Sequence, residues 1–166
     1  MSKYKIAVVG FGNVGREVFN AIEESPDMET AGIVIRNPQK MQAVKRIVGD
    51  VPVTTDVREL GKVDVAILSI ASRSVPEVAP KFLELGINTV DSFDIHGDEI
   101  IRLRQKLDSI AKAHNAVAVI SAGWDPGSDS IVRALVEVVA PRGLTYTNFG
   151  PGMSMGHTVA VKAIEG

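Results

Sequence analysis

The chain has 166 residues, no cysteine, 45% hydrophobic residues and a formal net charge of -2. That length suits a single domain with a substantial core, and the lack of cysteine excludes a disulfide framework, a thiol nucleophile and a thiolate metal site. The near-neutral charge, without a run of like charges, argues against nucleic acid as the partner; no apolar run is long enough to span a membrane, and with no signal peptide ahead of the first strand a cytoplasmic setting is expected.

Tyr4 to Val9 is apolar enough for a strand buried on both faces. Gly10-Phe11-Gly12-Asn13-Val14-Gly15 follows, and Asn13 to Glu24 has helical spacing at Val14, Val18, Ala21 and Ile22. Ser25-Pro26-Asp27 ends that helix, and Glu29 to Ile35 predicts the second strand. Pro38 to Val48 is helical, with Met41, Val44 and Val48 on one side. Val51-Pro52-Val53 is a short strand at best, because Pro52 has no N–H to donate, and Val57 to Leu60 fits one helical turn. Val63 to Ile70 predicts a central strand, Pro76 to Leu85 a helix stopped by Gly86, and Ile87 to Val90 the next strand. Gly97 to His114 is a long amphipathic helix with Ile100, Leu103, Leu107, Ile110 and Ala111 inward. Val117 to Ile120 is a strand, Gly127 or Ser128 opens a helix through Val139, and Leu144 to Asn148 is a last short strand.

Strands thus alternate with helices. Short crossovers between parallel strands are right-handed and put helices on both faces of one sheet. The expected fold is α/β, a doubly wound Rossmann-type, mostly parallel sheet. Ligands of such sheets bind outside the carboxyl ends of the strands. That rule selects the loops Gly10–Gly15, Arg36–Lys40, Ser69–Ser74, Asp91–His96 and Ala122–Ser128.

Each loop offers different chemistry. In the first, Gly10 allows a sharp turn, Gly12 lets a pyrophosphate approach the backbone, and Gly15 lets the helix pack closely on the strand. The free N–H groups and dipole of the helix start would face the phosphates. At the end of the second strand, Arg36 stands where a cofactor without a 2′-phosphate usually meets an acid. A guanidinium suits a phosphate dianion, which favours NADP over NAD; the alternative is a solvated surface arginine. Ser69-Ile70-Ala71-Ser72 is small enough for a ribose to lie against it, while Ser74 ahead of Pro76 and Glu77 also resembles a helix cap.

Asp91 and Asp125, in loops after neighbouring strands, would make a negative pocket that suits an ammonium group. Asp94 either joins them or caps the helix beginning near Gly97, and Asp125 before Pro126 is also a common turn former. Asp91 ends an apolar strand with no cap to make. Trp124 either walls a pocket or packs as core. His96, His114 and His157 are scattered, with His114 at a helix end, and form no metal constellation. The glycine-rich stretch Gly150–His157 is too polar for core and fits a ligand approach or a bend between domains.

On Val8–Gly15, Thr89-Val90-Asp91-Ser92-Phe93-Asp94, Gly123-Trp124-Asp125-Pro126-Gly127, Gly150-Pro151-Gly152 and Gly156-His157, the chain resembles the meso-diaminopimelate dehydrogenase family along its whole length. Ser72-Arg73-Ser74-Val75-Pro76-Glu77 and Met153-Ser154-Met155 resemble the branch with wider D-amino acid activity. The resemblance implies NADP-dependent, reversible oxidative deamination of meso-2,6-diaminopimelate at its D-centre, giving L-2-amino-6-oxopimelate and ammonia, in bacterial lysine and cell-wall metabolism. It implies that Phe11 to Val14, Ile35 to Asn37, Ser69 to Ser72, Thr89 to Asp91 and Ala122 to Pro126 line the cofactor. Asp91, Asp94, Asp125, Phe149, Met155 and Gly156 would face an amino acid substrate, with Trp124 at the reacting centre and Asp91 and Asp125 holding the amine. Members of that family are about twice this length, beyond the usual single-domain size. On that basis residues 1–148 are the dinucleotide-binding domain and 149–166 begin a substrate domain whose remainder, with the dimer contacts, is absent. The chain by itself is expected to be inactive. A nucleotide-binding module without chemistry, or another reductase on the same fold, are the alternatives.

Overall fold

A computed structural model describes residues 2–95, 97–124 and 127–143. The chain alternates strand and helix: β1 (Tyr4–Val9), α1 (Asn13–Glu24), β2 (Met28–Val34), α2 (Met41–Val48), β3 (Val53–Thr54), β4 (Val65–Leu68), α3 (Val75–Leu83), β5 (Asn88–Asp91), α4 (Asp98–Ala113), β6 (Ala118–Val119) and α5 (Ser128–Val139). Short 3-10 turns at Pro38–Lys40 and Ser72–Ser74 lead into α2 and α3, and a third spans Val57–Leu60. Among the described residues the strands form one sheet in the order β3-β2-β1-β4-β5-β6, with every pairing parallel. The strand order reverses beside β1, at the boundary between its two neighbours β2 and β4.

Why helices cover both faces follows from the strand period of two. Ile6 and Val8 of β1 point to one side and pack with Ile22 of α1 and with Val44 and Val48 of α2. Ala7 and Val9 point to the other side, where Val75, Ala79, Phe82 and Leu83 of α3 meet Leu103 and Leu107 of α4. The near-continuous apolar run of β1 is therefore two interleaved apolar stripes, each with its own helical layer. The expected doubly wound parallel sheet is the observed one.

Three features differ from the sequence-based expectation. Pro52 precedes β3 rather than lying in it; its carbonyl still accepts from Ile33 N–H at 2.8 Å, so only the donor it lacks is missing from the edge. Val14 is 61% exposed although it shares the helical spacing of buried Ile22, because it sits in the first turn of α1, beyond the end of the strand. Ser74 occupies the cap position of α3 but makes no side-chain cap bond, since the 3-10 turn already satisfies that end of the helix. The span of α5 is as expected; in it Ile131, Leu135, Val138 and Val139 are all exposed, and the buried residue is Asp129. The expected strand Leu144–Asn148, the boundary at 148 and His96 lie outside the described residues.

At the amino-terminal edge, polar side chains align the strand starts. Asp64 accepts from Lys5 N–H at 2.9 Å, and its own N–H donates to Lys5 O at 2.8 Å. Asn88 donates through Nδ2 to Asp64 O and accepts at Oδ1 from Val117 N–H, both at 2.8 Å. One aspartate and one asparagine thereby tie together the beginnings of β1, β4, β5 and β6. The Lys5 amide, then Lys62 beside it, hold the Asp64 carboxyl below its ordinary value. A carboxylate lowered by folding stabilises the fold above its unfolded value and loses that effect as pH falls through the folded one. Asp64→Ala should cost about 1–2 kcal/mol at neutral pH, with the deficit shrinking below about pH 4. Chemical denaturation of wild type and variant at several pH values measures both.

Candidate functional site

The carboxyl edge of the sheet is where backbone approaches backbone. Gly10 has φ +89° and donates to Val34 O at 2.8 Å, and a Cβ on it would lie 2.5 Å from Ser69 O. A Cβ on Gly15 would lie 2.1 Å from Gly10 O. Both positions therefore require glycine, and they seat the start of α1 on the turn and on the loop after β4. Gly12 differs: a Cβ there meets nothing within 4 Å. The space in front of Gly12 is open. The first turn of α1 has no side-chain cap and no acidic residue, so its N–H groups are left for an anion. Phe11 is half-buried and stacks edge-on against Phe19 at 6.2 Å, while Asn13 and Val14 are exposed at the mouth of the turn.

At the end of β2, Ile35 is buried and its N–H donates to Thr54 O at 2.9 Å. The chain then emerges at Arg36, which is exposed and has no ion-pair partner among the described residues. Asn37 accepts from Gln39 N–H at 3.0 Å and so caps the next turn. In the loop after β4, Ser69 Oγ is buried without a partner among the described residues, Ile70 packs on the core, Ala71 is exposed, and Ser72 is buried. The Ser72 hydroxyl accepts from Asp94 N–H at 3.3 Å, which joins this loop to the one after β5.

Asp91, at the end of β5, is 2% exposed. Its Oδ1 accepts from Phe93 N–H at 2.9 Å and from Ser121 N–H at 3.3 Å. Its backbone carbonyl accepts from Ala122 N–H at 2.8 Å. One oxygen thus holds the local turn, a structural role that the sequence reading had not assigned to it. Oδ2 is out of solvent with no hydrogen-bond partner among the described residues. Burial pushes the carboxyl above the usual carboxylate range, against the two backbone donors that pull it down. Asp94 Oδ1 is likewise buried and unpartnered, and it does not cap α4, whose cap residue is Gly97. Thr89 is fully buried, with Oγ1 unpartnered, and Val90 is half-buried beside it. The orphaned oxygens of Ser69, Thr89, Asp91 and Asp94 all belong to β4, β5 and the loops at their carboxyl ends.

The segment after β6 leaves the sheet next to Asp91 through Ala122, which is exposed, and half-buried Gly123. It closes on itself: Ser128 N–H donates to Gly123 O at 3.2 Å and Asp129 N–H to Trp124 O at 2.8 Å. A Cβ on Gly127 would lie 1.7 Å from Gly123 O, so glycine is obligatory there. Trp124 is 61% exposed, which excludes the core alternative for the indole. Asp125, Pro126, Phe149, Met155 and Gly156 lie outside the described residues. Ser121 escaped the sequence reading, because a serine after a short strand carries no pattern that marks it.

An unpaired buried carboxylate is a cost to folding that a ligand donor would offset. With its folded pKa raised, Asp91 favours the fold most at low pH and loses that effect as pH rises through the raised value. Asp91→Asn keeps an acceptor for Phe93 and Ser121 and removes the charge. It should raise the melting temperature by a few degrees near pH 8 and leave it unchanged near pH 4. Thermal melts across that range would contradict the reading if the variant melted lower at pH 8.

Two family models match the chain. The oxidoreductase family with an NAD-binding Rossmann fold covers residues 4–90, and the diaminopimelic acid dehydrogenase C-terminal domain covers residues 123–166. A meso-diaminopimelate D-dehydrogenase of Bacteroides fragilis is 56% identical over 166 residues, which is 100% of this chain and 54% of that protein. An engineered D-amino acid dehydrogenase bound to NADP+ matches with a TM-score of 0.73 and 38% identity, over 99% of this chain and 50% of that one. The C. glutamicum DAP dehydrogenase in complex with DAP matches with a TM-score of 0.73 and 37% identity, over 100% of this chain and 50% of that one. The chain spans about half the length of the relatives it matches.

Proposed function

The chain belongs to the oxidoreductase family with an NAD-binding Rossmann fold and corresponds to the N-terminal portion of the meso-diaminopimelate D-dehydrogenases, and from that premise we propose that the whole protein oxidises a D-configured amino centre with NADP+. The substrate we assign is meso-2,6-diaminopimelate, with other D-amino acids accepted beside it. Water enters, and the products are L-2-amino-6-oxopimelate, ammonia, NADPH and a proton. The proposed setting is cytoplasmic lysine and cell-wall metabolism, with the whole protein a dimer and its substrate domain starting near residue 149.

The observation that carries this reading is the state of Asp91: a buried carboxylate with Oδ1 engaged by two backbone donors and Oδ2 unpartnered. Such a group suits an ammonium donor and repels a carboxylate. The residues at the sheet edge also fit a dinucleotide. The open space at Gly12 and the uncapped first turn of α1 would accept the pyrophosphate, and Arg36 would meet the 2′-phosphate. Ser69 to Ser72 and Thr89 to Asp91 would lie along the ribose and nicotinamide side, with Ala122 to Pro126 beyond them. When bound, NADP+ supplies the hydride acceptor. The chain's own part is orientation: Asp91 with Asp125 holds the amine, and Trp124, Asp94, Phe149, Met155 and Gly156 shape the substrate side.

The full-length protein with NADP+ and meso-diaminopimelate should show rising absorbance at 340 nm. Silence with that substrate and with a panel of D-amino acids, alongside retained NADPH binding by calorimetry, would favour a nucleotide-binding module instead. Arg36→Ala should weaken NADP+ binding by about 1–3 kcal/mol, the size of a lost charge-assisted contact, and leave NAD+ binding nearly unchanged. Equal losses for both cofactors would remove Arg36 from the 2′-phosphate.

A further inference from the structure

Ser121 lies just beyond β6 and has φ +60°, a left-handed conformation that serine rarely adopts. Two bonds hold it there. Its N–H donates to Asp91 Oδ1 at 3.3 Å, and its hydroxyl donates to Phe93 O at 2.9 Å. Phe93 is itself 2% exposed, and its N–H is the other donor to Asp91 Oδ1, at 2.9 Å. Ser121 therefore grips the Asp91 carboxyl directly, and also through the residue that supplies the second grip. Ala122 N–H, next in the chain, bonds the Asp91 carbonyl at 2.8 Å and keeps the two strand ends together. A non-glycine residue in this conformation persists only where its surroundings over-determine it, which is common beside functional groups.

We propose that Ser121 is a positioning residue for Asp91: it fixes the rotation of the carboxyl group, so that Oδ1 is engaged by the protein and Oδ2 is left for the amine of the substrate. The inference rests on the reading of Asp91 as the residue that holds the amine. The hydroxyl tie is the replaceable part. Without it, the segment around Phe93 is held to β6 by one bond fewer, and the Phe93 amide no longer stays fixed on Oδ1.

Ser121→Gly tests this in the full-length protein, because glycine adopts the same φ without strain and removes the hydroxyl together with its β-carbon. Two readouts are taken together. Hydrogen exchange at the Phe93 amide should be about tenfold faster in the variant, since its own sequence neighbours are unchanged. The KM for the amino acid should rise about tenfold, with the KM for NADP+ and the melting temperature held. Unchanged Phe93 exchange would overturn the proposal, as would a rise in both KM values by the same factor, which a general loosening of the cleft would give. If wild type turns over no amino acid, the enzymatic reading falls by itself. The exchange result then still decides whether Ser121 positions Asp91.

Discussion

The structure depends on one close approach. Gly15, inside α1, sits against the carbonyl of Gly10, and Gly10 sits against the carbonyl of Ser69. A single methyl group at either position would need space that backbone atoms already fill. This contact sets the height of α1 above β1 and the distance from β1 to the loop after β4. The crevice where the strand order reverses is therefore built from backbone, which does not change rotamer. That rigidity suits an edge that must hold a long, many-jointed ligand at several points at once.

The opposite edge supplies the alignment that makes this possible. Asp64 and Asn88 tie the beginnings of four strands, and in a parallel sheet a fixed beginning also fixes where each strand ends. The carboxyl-end residues Gly10, Ser69, Asp91 and Ala122 thus come out side by side although they are far apart in the chain. The two edges treat polar groups differently. At the amino end each carboxylate oxygen of Asp64 has a donor. At the carboxyl end the oxygens of Ser69, Asp91 and Asp94 are buried and unpartnered among the described residues. A fold that satisfies its polar groups at one edge and leaves them wanting at the other marks the second as the edge that meets a ligand.

Much of this was legible in the sequence, for physical reasons. The apolar run Ile6–Val9 followed by glycine at 10, 12 and 15 has few other solutions than a strand, a tight turn and a helix. The amphipathic pattern of α4 marked Leu103, Leu107 and Ala111 as inward, and they are buried. Tertiary detail was not legible. Nothing in Asp91-Ser92-Phe93 tells that one carboxyl oxygen bonds the amide two residues on, because Asx-type turns depend on backbone angles that many sequences adopt. Ser74 looks like a cap because Ser, Pro and Glu stand in cap order, yet the 3-10 turn that ends on it does that work. Ser121 was invisible because its importance lies in two partners about thirty residues earlier in the chain. The apolar residues of α5 predicted the helix but not its setting, with Ile131 and Leu135 turned outward.

In the proposed reading the described residues form one wall of the site, and electrostatics explains what a second wall would add. The attraction of a carboxylate for an ammonium at 4 Å is about 1 kcal/mol in water and about 4 kcal/mol at a partly enclosed surface. Asp91 is already enclosed on its protein side, and its burial is what raises its pKa and leaves Oδ2 without a donor. Trp124, next to it through Ala122, is mostly exposed and covers little by itself. Anything that closed over Asp91 and Trp124 would do more than add contacts. By excluding water it would strengthen the pull of Oδ2 on the amine proposed for it, give the carboxylate the partner it lacks among the described residues, and turn an energetic defect of this edge into binding selectivity.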